Sequence, residues 1–323
     1  MSTRAADRTA ALISGVCPVL ETPFHEDGAL DPAGFDAVVT HVLDTGVRAV
    51  MFPGYASEFL KLDPDERALL IDRLLAVTTG RDDVAAIVSV MEHGTRAAVR
   101  SARRLVGAGA DALNLLPPYQ LGPARREVLD HLRAVLTAVD PVPVIVQYAP
   151  AQTGTALDGP TLLTLRDEHP NLRFVKVEAS PPGPLVGVLA AADPPLPSLV
   201  GYAGLLLPDA VRRGAAGVQP GCSFTELYLD LWELYAADDL TAADRLHAEL
   251  TGYLTYWMQN VELIVAVEKL ISVRRGWFTS DHCRRPGWRL DEAERDQVAR
   301  FLDQFGDRLT RRVTARPAPD GQS

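Results

Sequence analysis

Lys176 stands in the middle of the run Leu172-Arg173-Phe174-Val175-Lys176-Val177-Glu178-Ala179-Ser180, whose apolar and β-branched residues read as a short strand cut off by Pro181, Pro182 and Gly183. An unpaired ammonium loses its hydration on burial and avoids that cost by giving up its proton. A neutral lysine is a nucleophile. It attacks a carbonyl to form an imine, and the protonated imine is an electron sink for breaking a neighbouring C–C or C–O bond. The plainer alternative is a strand-end lysine that snorkels to solvent. Lysine occurs only at positions 61, 176 and 269, against abundant arginine, so position 176 has escaped whatever drives the composition toward arginine. Strand alternation puts Phe174, Lys176 and Glu178 on one face and Val175 and Val177 on the other. Imine chemistry also needs a proton carrier, and Tyr148, ending the preceding apolar run, is the candidate. Glu178 could steer a proton or bind a substrate hydroxyl, or simply pair with an arginine. Gln219, between Gly217 and Gly221, offers an amide to the same region or is a satisfied core amide. Glu92 and His93 are accounted for by loop polarity, and Cys222 by burial as a small hydrophobe.

The elements that must position these groups follow from periodicity. Residues 16–20, 47–52, 84–90, 112–116, 142–148, 172–180, 198–201 and 217–219 read as strands. They alternate with amphipathic helices over residues 31–44, 63–79, 95–106, 125–139, 159–168, 185–192, 206–213 and 225–236. Short loops between strands and helices predict parallel pairing, and eight such units close into an α/β fold of the (β/α)8 TIM-barrel type. The barrel is expected over residues 12–236. A helical appendix is expected over 237–312, from apolar periodicity at 240–273 and 291–310, and a disordered tail over 313–323. Catalytic groups of such barrels sit at the C-terminal strand ends. That places Lys176, Tyr148 and the loop of residues 54–58 together.

With 323 residues, 47% hydrophobic and 23% charged, at a net charge of −10, the chain has the composition of a soluble globular protein. The acidic balance argues against nucleic acid and anionic membranes as partners. Three scattered cysteines make neither a disulfide framework nor a metal site. The first residues carry no apolar run long enough for a signal peptide or a membrane span, which makes the cytoplasm the expected compartment.

Gly54-Tyr55-Ala56-Ser57-Glu58, Tyr148-Ala149-Pro150 and Phe174-Val175-Lys176-Val177-Glu178-Ala179-Ser180, in this order, resemble the dihydrodipicolinate synthase/N-acetylneuraminate lyase family. The resemblance extends from Thr22-Pro23-Phe24 to Arg285-Pro286. It implies a lysine imine at Lys176 with pyruvate or another 2-oxo acid, without a cofactor, in a homo-oligomer (dimer or tetramer). It puts Tyr148 on the tyrosine that begins the family's Tyr-Asn-x-Pro motif, and residues 54–57 on the loop whose backbone holds the substrate carboxylate. It puts Tyr119 where many members reach into a neighbouring subunit's site. The departures matter as much. Tyr55 and Ala56 replace hydroxyl residues of that loop, and Ser57 replaces a glycine and offers a donor. Gln152 replaces the arginine for a second carboxylate, and Gly201-Tyr202-Ala203 replaces Gly-Asp-Asp. Val177 also separates Lys176 from Glu178. The expectation is a Schiff-base lyase, aldolase or dehydratase acting on a pyruvate-like or hydroxylated 2-oxo acid, not a true dihydrodipicolinate synthase. The alternative is a catalytically impaired barrel that binds a 2-oxo acid as a sensor or subunit partner.

Overall fold

The computed structural model describes residues 3–154 and 157–310; the tail expected at 313–323 lies outside the described residues. Eight parallel strands follow in chain order: β1 (Gly15–Val16), β2 (Ala49–Phe52), β3 (Ala85–Val90), β4 (Ala112–Leu115), β5 (Val144–Tyr148), β6 (Leu172–Val177), β7 (Ser198–Val200) and β8 (Gly217–Val218). The order β1-β8-β7-β6-β5-β4-β3-β2 leaves only the β1–β2 seam. Pro18 has no N–H for a regular ladder, so β1 is shorter than its apolar run. The chain instead crosses the seam through Leu20 N–H to the Met51 carbonyl and Met51 N–H to the Pro18 carbonyl, both 2.9 Å. The sheet is a nearly closed (β/α)8 barrel.

Helices α2 (Pro32–Asp44), α3 (Pro64–Thr78), α4 (Thr95–Gly107) and α5 (Arg125–Val139) follow the first four strands. The starts of α2 and α3 were written in the sequence. Asp31 accepts from Gly34 N–H at 2.8 Å, and Asp63 forms a capping box with Glu66. After β5 come a single turn, α6 (Pro150–Thr153), and α7 (Gly159–Glu168); α8 (Gly183–Ala190), α9 (Leu207–Arg212) and α10 (Thr225–Ala236) follow β6, β7 and β8.

Two helical features differ from expectation. A helix α1 (Thr3–Ile13) precedes the barrel, and its Ile13 joins the interior cluster, closing the N-terminal end. The apolar run expected as one helix at 240–273 is two, α11 (Leu240–Trp257) and α12 (Val261–Arg274), because Asn260 caps α12 by accepting from Glu262 N–H at 2.8 Å. A last helix, α13 (Glu292–Leu309), packs on α12 and α10.

The barrel has two apolar layers. Inside, Ala49, Ala85 and Ala112 leave room for Met51, Ile87, Ile145, Phe174 and Leu199. Outside, Val144, Val146, Val175 and Val177 pack under the helices. This alternation gives each strand residue its direction.

Candidate active site

Lys176 lies on the inner face of β6, above Phe174, and is 4% exposed. Its Nζ is 3.4 Å from Glu178 Oε1. The chain's two other lysines serve one structural post. Glu58, just after β2 in a left-handed conformation, pairs with Lys61 at 2.9 Å and with the fully buried Lys269 of α12. Lys269 also donates to the His282 carbonyl at 2.8 Å and lies over the Phe24 ring. That leaves Lys176 as the lysine facing a cavity.

The cavity is ≈ 70 Å³, far below the roughly 300–1,000 Å³ of drug-sized sites, so it suits a small ligand. Tyr55, Ala56, Gln152, Tyr202, Gln219 and Glu178 line it, and α12 adds an apolar wall of Val261, Ile264 and Val265 with Glu268 beside it. A larger groove of ≈ 610 Å³ runs beneath α1 at the opposite end, but it contains neither Lys176 nor Glu178, and barrels of this type do their chemistry at the C-terminal face.

Tyr148 is not brought to Lys176. In the β5–β6 register Gln147 is the partner of Lys176, and Tyr148 is the partner of the outward-facing Val177. Tyr148 packs against the outer core, and its hydroxyl meets the Leu157 backbone. Burial, and secondarily the charge of Asp158, raises its pKa. Gln147 takes the inner position. Its Oε1 accepts from Asn114 Nδ2 at 2.9 Å and its Nε2 donates to Glu178 Oε2 at 2.7 Å, while Asn114 also donates to Ser89 Oγ at 3.1 Å. A chain of side-chain hydrogen bonds thus crosses the barrel wall from β3 to the Lys176–Glu178 pair. The signal for it was in the sequence: Tyr-Asn-x-Pro puts its tyrosine three residues before the proline, and the residue three before Pro150 is Gln147.

The loop after β2 is a 3₁₀ turn, Tyr55–Ser57. Gly54 is required there, since a Cβ would fall 2.7 Å from Val19 Cγ1 and 2.9 Å from Met51 Cε. Ser57 does not offer its hydroxyl to the cavity. The group donates to the Leu20 carbonyl and accepts from Gly54 N–H at 2.9 Å, tying the loop to the barrel rim. Tyr55 is held protonated, its pKa raised by burial first and then by Tyr119, Glu178 and Tyr202. Tyr119, on the loop after β4, thus acts on Tyr55 of its own chain. Gln152 donates to the Tyr202 hydroxyl at 2.7 Å, joining the loops after β5 and β7 beside the cavity.

Gln219 is 2% exposed, with Nε2 on Cys17 Sγ at 3.4 Å and Oε1 without a partner among the described residues. Burial pushes the Cys17 thiol up to about 12, which makes it inert. Glu268, unmarked by any motif, reaches the cavity only because α12 packs there. Burial raises it to about 7, and Gly221 makes room, since a Cβ there would fall 1.9 Å from its carboxylate.

The structure is thus a (β/α)8 barrel with a buried lysine inside its C-terminal mouth. Comparison with known proteins is specific: the model of the dihydrodipicolinate synthetase family matches residues 12–305, and the chain belongs to that family of lyases. A 4-hydroxy-tetrahydrodipicolinate synthase of Haloarcula marismortui is 31% identical over 91% of this chain and 94% of its own length. The probable 2-dehydro-3-deoxy-D-pentonate aldolase YjhH of Escherichia coli is 25% identical over 91% and 97%. The dihydrodipicolinate synthase structure from Rhodopseudomonas palustris superposes with a TM-score of 0.83 at 25% identity, covering 91% of this chain and 98% of that one.

Proposed function

We propose that this family member is a Schiff-base-forming aldolase or hydro-lyase whose substrate is a 2-oxo acid with an uncharged or hydroxylated tail, and that it is not a dihydrodipicolinate synthase. The observation that carries the reading is Lys176: inner-facing, buried, and the lysine left over when Glu58 has taken the other two. The substrate's carboxylate would lie along the Tyr55–Ala56 backbone, which lines the cavity. No cofactor enters this reading, because the imine supplies the electron sink.

The tail is read from charge. Among the described residues no arginine lines the cavity, and Gln152 cannot offer the bidentate, always-charged fork that a second carboxylate calls for. Arg173 is paired with Asp7 and Arg212 with Asp244, both outside it. Glu178 would repel an anionic tail, while Gln219 Oε1, Tyr202 and Tyr55 accept or donate to hydroxyls. The YjhH name, a pentonate aldolase, is that of a hydroxylated 2-oxo acid.

Gln147 on the inner face favours a second reading, a barrel that binds a 2-oxo acid without turnover. One experiment separates them. The full chain is incubated with a panel of 2-oxo acids and borohydride, adducts are read by intact mass, and cleavage or dehydration is assayed in parallel. An adduct on wild type but not on Lys176→Ala, with turnover of a hydroxylated acid, is expected. An adduct without turnover of any acid leaves the sensor. Efficient condensation of pyruvate with aspartate semialdehyde, and none with hydroxylated acids, would show the pocket to be misread.

A further inference from the structure

We propose that Glu178 is the acid–base residue of the imine chemistry, taking the part expected of Tyr148; the inference rests on the lysine-imine reading above. Three observations converge on it. Glu178 Oε1 lies 3.4 Å from Lys176 Nζ, the atom that must lose protons before it can react. The carboxylate is built into place: Gln147 holds Oε2 at 2.7 Å, Asn114 holds Gln147 and is itself held by Ser89, and Oε1 is left to the lysine. The end of β7 makes room for it, because a Cβ at Gly201 would fall 2.3 Å from Glu178 Cγ.

The other groups facing Glu178 are unsuited to the whole task. Gln147 is an amide and does not exchange protons in this range. Tyr55 and Tyr202 are raised by burial and by the charge of Glu178, so they donate hydrogen bonds but do not serve as bases near neutrality. Glu268, from α12, lines the same cavity, but it is bonded to Ser223 N–H at 3.4 Å, and among the described residues the carboxylate paired with Lys176 is that of Glu178. A buried ion pair without function is often replaceable by apolar packing at little cost. Here the pair borders a cavity and is held by a chain of amides that carries no charge.

The steps balance as follows. An ammonium proton passes from Lys176 to Glu178, leaving a neutral amine and a carboxylic acid. The amine lone pair attacks C2 of the 2-oxo acid; the N–C bond forms, the carbonyl π pair moves to oxygen, and that oxygen takes the proton from Glu178. The nitrogen of the carbinolamine then gives its extra proton back to the Glu178 carboxylate. Glu178 protonates the hydroxyl, the C–O bond breaks, and water leaves the iminium behind. Ammonium, carboxylate and ketone have become iminium, carboxylate and one water, with no change of oxidation state.

The test is the rate of trapped-adduct formation on the full chain with pyruvate as probe, between pH 5 and 9. Wild type comes first: no adduct with any 2-oxo acid overturns the lysine-imine reading itself, whatever Glu178 does. Given an adduct, Glu178→Gln is expected to form it about 10²–10⁴-fold more slowly and with a pH–rate profile of different shape. Glu178→Ala is expected to recover part of the rate as formate is added, a rescue that a merely structural glutamate would not show. The proposal is overturned if Glu178→Gln stays within about threefold of wild type with the same profile, below the range of general acid–base effects. It is overturned equally if formate leaves Glu178→Ala untouched while Tyr55→Phe takes the loss.

Discussion

Gln147 and Tyr148 are neighbours in β5 that face opposite ways, and direction decides which of them can touch a ligand. Tyr148→Phe removes a hydroxyl that meets the Leu157 backbone outside the barrel, so trapping and turnover should stay within about threefold of wild type, short of an acid–base loss. Gln147→Leu removes the donor on Glu178 Oε2. Hydrogen bonds to charged groups contribute about 1.5–3 kcal/mol, so the adduct rate should fall about 10- to 150-fold. Equal rates in wild type and Gln147→Leu would detach the amide chain from the chemistry. The direction of Lys176 was legible because Phe174 differs from its valine neighbours in bulk and branching. The direction of Tyr148 does not follow from periodicity, because residues 144–146 are apolar on both faces; the spacing to Pro150 carries the phase in the sequence, and the pairing of Gln147 with Lys176 carries it in the structure.

At the scale of elements, the site is held by a bond between the loop after β2 and a helix far away in sequence. Glu58 pairs with Lys269 of α12, and Arg284 N–H donates to Glu58 at 3.1 Å, so the turn carrying Tyr55 is anchored from outside the barrel. Removing one partner of a buried pair costs about 3–5 kcal/mol because a charge is left uncompensated. Lys269→Met should lose about that much in urea unfolding and raise KM for the 2-oxo acid. Lys269→Met combined with Glu58→Gln should recover part of the stability. A loss below about 1 kcal/mol in the single variant would show that Lys61 and Arg284 already hold Glu58. Helices α5, α7 and α10 run where periodicity put them. The break at Asn260 was not legible, since the apolar pattern continues through Trp257 and Val261 and neither glycine nor proline marks it. Helix α1 was missed for a related reason. Its polar face dominates a short segment, and only the closed barrel supplies a use for Ala6 and Ile13.

For the molecule as a whole, buried carboxyl groups make stability depend on pH in the direction opposite to an ordinary ion pair; burial raises Asp111 and Glu226, and raises Glu21 and Glu268 furthest. Glu21, just past β1, is fully buried with the Ser272 hydroxyl, Cys222, Glu268 and Lys269 as its surroundings, and burial raises it to about 8. Burial raises Glu268 to about 7. Both bind a proton in the folded protein at pH values where the unfolded chain, near 4.5, has lost it. Their contribution is therefore fully present below about 4.5 and is lost as pH rises through about 7 and 8. Each can contribute a slope of at most about 1.4 kcal/mol per pH unit. On the acid side the trend reverses: His131 and His247 are held down by burial, and Glu66 and Glu168 are lowered by Arg284 and Arg133, so all four lose stability as pH falls. The buried thiols add to the loss only where unfolded cysteine ionises, near pH 8.5 and above. Between pH 6.5 and 8.5 the carboxyl pair should dominate, and the melting temperature of wild type should fall across that window. Glu21→Gln keeps an acceptor for Ser272 without the charge and should flatten the fall, leaving the share due to Glu268 and the other buried carboxyl groups. A wild-type melting temperature that is level or rising from pH 6.5 to 8.5 would mean that Lys269 already neutralises the pair in the folded protein.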